Sequence, residues 1–116
     1  MNTSNFAKSK KFIDKNLVSI SLYPPKWYNG RVYKDLAPNW DTIDAWKKSS
    51  KTEKDWENYK RDYFKSKLNK LDPKKVFEDL GDDAILLCFE KDGEPCHRHL
   101  VADWLTSNLN IKITEI

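Results

Sequence analysis

The 116-residue chain is long enough for one domain whose core takes roughly two-thirds of the unfolded surface out of water. Its 21 basic and 18 acidic residues leave a net charge of only +3, and two cysteines are too few for a disulfide framework. No apolar run approaches the ~20 residues that span a bilayer, and the start has no signal-like apolar stretch, so a cytoplasmic, reduced setting without a membrane is expected. The charge is uneven. Up to Ser50, nine Lys/Arg stand against four Asp/Glu, while the remainder carries twelve against fourteen. A basic front half suits phosphate or nucleic acid, and it equally suits a lysine-rich solvated face.

In chain order, the first residues, 1–6, are read as a strand. Residues 17–22, a short β-branched run stopped by Pro24-Pro25, form the next. A long aromatic loop follows to Trp40, and residues 41–48 read as a short helix. Residues 53–71 place Trp56, Tyr59, Tyr63, Phe64, Leu68 and Leu71 at three-and-four spacing, an apolar stripe on a longer helix. Asp72-Pro73 supplies an N-cap and a first-turn proline for a further helix that Gly81 closes. Residues 84–89 are apolar throughout, as in a strand covered on both faces. A last helix runs from about residue 95 to 108, and the alternation of residues 111–116 suits an edge strand. Strands alternating with helices predict a single α/β domain over residues 1–116, with a small, mainly parallel, Rossmann-like sheet flanked by helices. Ligands of such sheets favour the loops beyond the carboxyl ends of the strands.

One of those loops is chemically dense. Between Cys88 and Leu105 lie both cysteines and both histidines. On a helical wheel, Leu100, Val101, Trp104 and Leu105 mark the buried side of the last helix, and His97 shares it. His99 falls opposite and is expected in solvent, while Cys96 and Arg98 flank the stripe. Diverging histidines, a strand-embedded Cys88 and the lack of a C-x-x-C pair argue against zinc, so no metal and no cofactor is expected. An anion site fits better. The free N–H groups of the first helical turn and the Arg98 fork suit phosphate or carboxylate, and the same field would favour a Cys96 thiolate. His97 would accept a proton or orient the thiol, and Glu90 at the strand end would act as a base or pair with Arg98. Packing roles compete at each position: a buried free cysteine, a hydrogen-bonded core histidine, an arginine paired with Glu90 or Glu94.

The aromatic loop is the second informative stretch. Tyr23, Trp27, Tyr28, Tyr33 and Trp40 alternate there with Lys26, Arg31 and Lys34. Such rings can stack on bases while the cations meet phosphates, and a loop this long is uncommon without a function. Trp40 and about half of the rings are expected to cover the sheet. Tyr23, Lys26, Trp27 and Arg31 are the ligand candidates.

Several pieces in order along the chain resemble domain-of-unknown-function family 488, in its short single-domain branch with a Cys-His-Arg motif. They are Thr3-Ser4-Asn5-Phe6-Ala7, the Pro-Pro-Lys-Trp-Tyr loop, Tyr33-Lys34-Asp35-Leu36-Ala37-Pro38, Leu68 to Pro73, Leu86-Leu87-Cys88-Phe89-Glu90-Lys91, and Cys96-His97-Arg98-His99-Leu100-Val101. The resemblance implies a compact α/β fold with a site around the Cys-His-Arg turn, approached by Thr3, Ser4 and Asn5 from the first strand. Where broader members carry Asp-x-Arg after an early strand, this chain has Ser19-Ile20-Ser21, so a second arginine is missing from that place. The combined expectation is an anion site of phosphate or nucleotide type, catalytic through Cys96, His97 and Glu90. Arg98, Thr3, Ser4, Asn5, Tyr23, Lys26, Trp27 and Arg31 would bind an anionic small molecule or nucleic acid. The rival readings are a non-catalytic nucleic-acid- or protein-binding module and a thiol-based redox sensor.

Overall fold

The computed structural model describes residues 1–91 and 93–116; Asp92, in the predicted 90–94 loop, lies outside the described residues. Among the described residues, five strands form one sheet: β1 (Asn2–Asn5), β2 (Leu17–Ser19), β3 (Arg31–Val32), β4 (Ile85–Cys88) and β5 (Thr114–Glu115). Every pairing is parallel and the spatial order is β3-β2-β4-β1-β5. Four of these strands are the predicted ones. The fifth, β3, is two residues inside the aromatic loop, too short to carry a periodic signal.

The helices are α1 (Phe6–Ser9), α2 (Trp40–Lys48), α3 (Glu53–Ser66), α4 (Pro73–Leu80) and α5 (His97–Leu109). Their ends follow from the sequence. Thr52 and Asp55 close a reciprocal capping box at the start of α3, and Asp72 accepts the Lys74 amide ahead of Pro73. Gly81 ends α4 at φ +93°, a conformation side chains resist. The long apolar stripe breaks at Lys67, and Leu68–Lys70 continues it as a 3₁₀ turn.

Alternation along the strands divides the core unequally. Val18, Ala84 and Leu86 face a large cluster with Tyr63, Val76, Leu80, Val101 and Leu105 from α3, α4 and α5. Among the described residues, the opposite face carries a small cluster in which Ile85 and Leu87 pack with Phe6 of α1, covered by Phe12, Leu17, Tyr28 and Ile116. Tyr63, fully buried, donates its hydroxyl to the Leu36 carbonyl at 2.6 Å and so anchors the aromatic loop to α3. Among the described residues, no helix is long and apolar enough to cross a membrane.

Tyr63→Phe strands that buried carbonyl without its donor. The expected loss is about 1–2 kcal/mol of stability in urea unfolding, with the fold retained by circular dichroism.

Candidate functional site

The carboxyl ends of β2 and β4 lie side by side, and the chain leaves them in opposite directions. From β2 it goes outward to β3; from β4 it passes through α5, beyond β1, to β5. A crevice at such a switch point is where parallel α/β sheets place ligands. A cavity of about 580 Å³ opens there. Ser21, Leu22 and Tyr23 after β2 form one wall, and Phe89, Glu90 and His97 after β4 form another. Trp40, Ile43, Trp46 and Lys47 of α2, with Tyr59 of α3, close it over. Lysines lie on the rings: Lys47 Nζ is 5.7 Å from the Trp40 ring centre and Lys51 Nζ is 5.0 Å from that of Trp46. Lys51 also donates to the Trp46 carbonyl at 2.5 Å, which fixes its ammonium at the rim.

His97 is buried, as expected, and one of its ring nitrogens is held by a hydrogen bond. Nε2 lies 2.7 Å from the Ile20 carbonyl, which can only accept, so Nε2 carries the proton. Nδ1 then presents its lone pair toward Cys96 Sγ at 3.8 Å. Burial lowers the His97 pKa to about 4, with the nearby Arg98 and His99 charges adding to the effect, so the ring is neutral. Glu90 is shifted the other way: burial raises its carboxyl above the ordinary value and Glu94 adds to that, while Arg98 and Lys47 oppose it. Burial and the charge on Glu90 keep the Tyr59 phenol protonated.

The expected floor of Cys96, His97 and Arg98 is divided by the structure. Cys96 caps α5 and is joined to Cys88 in a disulfide, so no free thiol lies at the helix start. Arg98 is fully buried and does not reach the cavity. Its Nε and Nη2 donate to the Glu115 carboxylate, at 2.8 Å for the Nη2 bond, and Nη1 donates to the Glu90 carbonyl and Cys88 Sγ at 2.9 and 3.0 Å. The guanidinium is consumed inside the protein and offers no fork to a ligand. Thr3, Ser4 and Asn5 are similarly occupied. Thr3 donates to Glu115, Ser4 to the Ile116 carbonyl, and Asn5 accepts the Lys8 amide as the cap of α1. Arg31 sits at the opposite, amino edge of the sheet, bonded to Asn16 and to the Leu80 and Asp79 carbonyls that end α4. Trp27 is half exposed against Phe6, with Lys10 over its ring, and Lys26 is exposed. Of the expected residues, the cavity brings together Tyr23, Glu90 and His97. His99, expected in solvent, is half-buried.

Sequence reasoning passed over Trp46, Lys47 and Tyr59, whose spacing reads equally as core. It also missed Glu115, for which a signal exists. Glu115 is in phase with Ile111 and Ile113, which pack on the large core, and an acid in an inward-facing position asks for a buried partner.

The fold and site define an all-parallel α/β domain with an aromatic-walled crevice at its topological switch point. The family model described as "Active DUF488-N3 subclade" matches residues 13–109, and the chain belongs to that family, in keeping with the resemblance seen in its motifs. No curated protein and no solved structure gives a significant match.

Burial opposes ionisation of Glu115, but hydrogen bonds from Arg98 and Thr3, with the Arg98 charge, outweigh it and hold the carboxyl below its ordinary value of 4.5. Because the native value is the lower one, this carboxylate stabilises the fold above pH 4.5, and that contribution is lost as pH falls through the native value. Glu115→Gln leaves Arg98 buried without its counter-charge. A loss of roughly 2–3 kcal/mol is expected near neutral pH, below the ~3–5 kcal/mol of a fully enclosed pair because Glu115 is partly solvated. Urea titrations should show wild type and variant converging in stability as the solution is acidified.

Proposed function

We propose that the crevice binds a phosphate-bearing aromatic ligand of nucleotide type, and that Glu90 is its acid–base group. The observation that carries this reading is the pairing of aromatic walls with lysines around one raised-pKa carboxyl in the switch-point cavity. Tyr23, Trp40 and Trp46 offer faces for a base, Lys47 and Lys51 meet the phosphate, and the protonated Tyr59 and neutral His97 line the interior. Glu90, rather than His97 or Cys96, takes the catalytic part, because the Cys96 sulfur is bonded to Cys88, and His97 spends Nε2–H on the Ile20 carbonyl and turns Nδ1 toward Cys96 Sγ. The description of the family model as an active subclade favours an enzyme over a passive binding module. The reading takes the setting as cytosolic, where reducing conditions would favour Cys88 and Cys96 as thiols over the disulfide.

Tryptophan fluorescence titration with nucleoside monophosphates, the matching nucleosides, inorganic phosphate and short single-stranded oligonucleotides tests the reading. Nucleotides should bind more tightly than nucleosides or phosphate alone. Trp46→Ala should weaken nucleotide binding about tenfold or more, from the loss of about 1–3 kcal/mol of stacking. Lys47→Ala with Lys51→Ala should erase the preference for nucleotide over nucleoside, and Glu90→Gln should bind but not turn over. Equal affinity of wild type and Trp46→Ala for every probe overturns the proposal. Tight binding confined to oligonucleotides transfers the site to a strand-binding module.

A further inference from the structure

Beside the crevice, Cys88, Cys96 and His97 bring one ligand atom each to within 4.8 Å of one another, all three residues buried. We propose that, with the cysteines reduced, this triad is a binding site for a borderline-soft divalent ion of the zinc type, and that the disulfide is its metal-free oxidised form. The proposal is independent of what the crevice binds.

The expectation of no zinc rested on diverging histidines and on a cysteine sequestered in a strand. Only one histidine is needed, and the strand does not hide Cys88. Cys88 is in phase with Ala84 and Leu86, so it points to the sheet face that α5 covers, and α5 begins at Cys96-His97. Four geometrical observations then favour an ion. The lone pair of His97 is on Nδ1, because Nε2–H is spent on the Ile20 carbonyl; a metal-binding imidazole is commonly fixed by such a bond from its other nitrogen to a backbone carbonyl. That Nδ1 stands 3.8 Å from Cys96 Sγ, close to the about 3.6 Å that separates sulfur and nitrogen on a tetrahedral zinc. The Cα atoms of Cys88 and Cys96 are 7.5 Å apart, beyond the roughly 4.4–6.8 Å usual for cystine, so the backbone suits two sulfurs set about 3.7 Å apart on a shared ion. Finally, Arg98 Nη1 donates to Cys88 Sγ at 3.0 Å, the kind of outer hydrogen bond that supports a ligating thiolate. Two thiolates and one neutral imidazole leave a fourth position for water or for a group entering from the crevice that His97 lines.

The chemistry balances. A dithiol reductant opens the Cys88–Cys96 bond by two exchanges, becoming a cyclic disulfide itself and leaving both cysteines as thiols. The ion then displaces two protons, one from each sulfur, and binds Nδ1 without further proton loss.

The test uses the full chain, reduced with a dithiol, desalted without oxygen and titrated with Zn²⁺ or with Co²⁺ as a coloured substitute. The reduced protein should take up about one equivalent of Co²⁺. It should show the intense visible bands of tetrahedral cobalt together with near-ultraviolet thiolate charge transfer, which Zn²⁺ then abolishes. The oxidised protein should take up none, and reoxidation should release the ion. Cys88→Ser and Cys96→Ser should each lose charge-transfer intensity, and His97→Gln should weaken binding at least tenfold. The wild-type comparison between redox states stands even where a variant fails to fold. Failure of the reduced protein to bind, a pale octahedral spectrum, or tetrahedral binding that survives Cys96→Ser overturns the proposal, whatever the nucleotide titrations give.

Discussion

A guanidinium that no water reaches dictates how this molecule is assembled. Arg98 has to satisfy its donors from the protein alone, and it does so with the Glu115 carboxylate, the Glu90 carbonyl and Cys88 Sγ. Those partners belong to β5, to the loop after β4 and to β4 itself, and Thr3 of β1 joins through Glu115. One side chain of α5 therefore holds three neighbouring strands in register. Burying such a pair confers little net stability over an apolar substitute, since desolvation offsets the attraction. What it fixes is position. Residues of a helix are turned about 100° from one to the next, so with Arg98 turned toward Glu115, its neighbour His97 is turned toward β2 and the crevice.

The same arrangement separates two carboxyls by environment. Glu90 is raised chiefly by burial, whereas Glu115 is lowered because hydrogen bonds and the Arg98 charge overcome burial. Arg98 touches both residues, the backbone of one and the carboxylate of the other. At Glu90 the Arg98 charge still favours the ionised form, but burial outweighs it and the carboxyl is held above its ordinary value. An arginine that sequence alone assigns to ligand thus acts by shaping the electrostatics behind the crevice wall.

The fold was readable wherever a local signal was strong. Asp72-Pro73 and Gly81 marked the ends of α4, alternation located β5, and the wheel placed His97, Leu100, Val101, Trp104 and Leu105 inside. The site was half readable. Its density of reactive groups stood out in the strand–loop–helix stretch, but partners were assigned by nearness in sequence, and Arg98 pairs with the Glu115 carboxylate instead of Glu90 or Glu94. That choice depends on β5 lying beside β1, a long-range pairing no short window reports. The Cys88–Cys96 contact was closer to hand, because strand phase and the start of α5 together aim the two sulfurs at one another. The cavity walls were obscured for another reason: an aromatic ring at helical spacing looks alike whether it faces a core or a ligand.

The strand order also constrains how the chain comes together as it is made. Both neighbours of β1 are late: β4 begins at residue 85 and β5 at residue 114. Until they are made the first strand has no partner to pair with, and its Thr3 and Ser4 hydroxyls await groups 112 residues away. Parallel pairing across such separations is slow to form, because the closing of long loops comes before any contact rewards it. Helices α3 and α4 can meet earlier through local contacts, but β1 cannot join the sheet until β4, which begins at residue 85, has been made. The nascent chain therefore carries an unpaired β1 until β4 is made, and its polar Asn2-Thr3-Ser4-Asn5 sequence makes that edge a poor seed for aggregation.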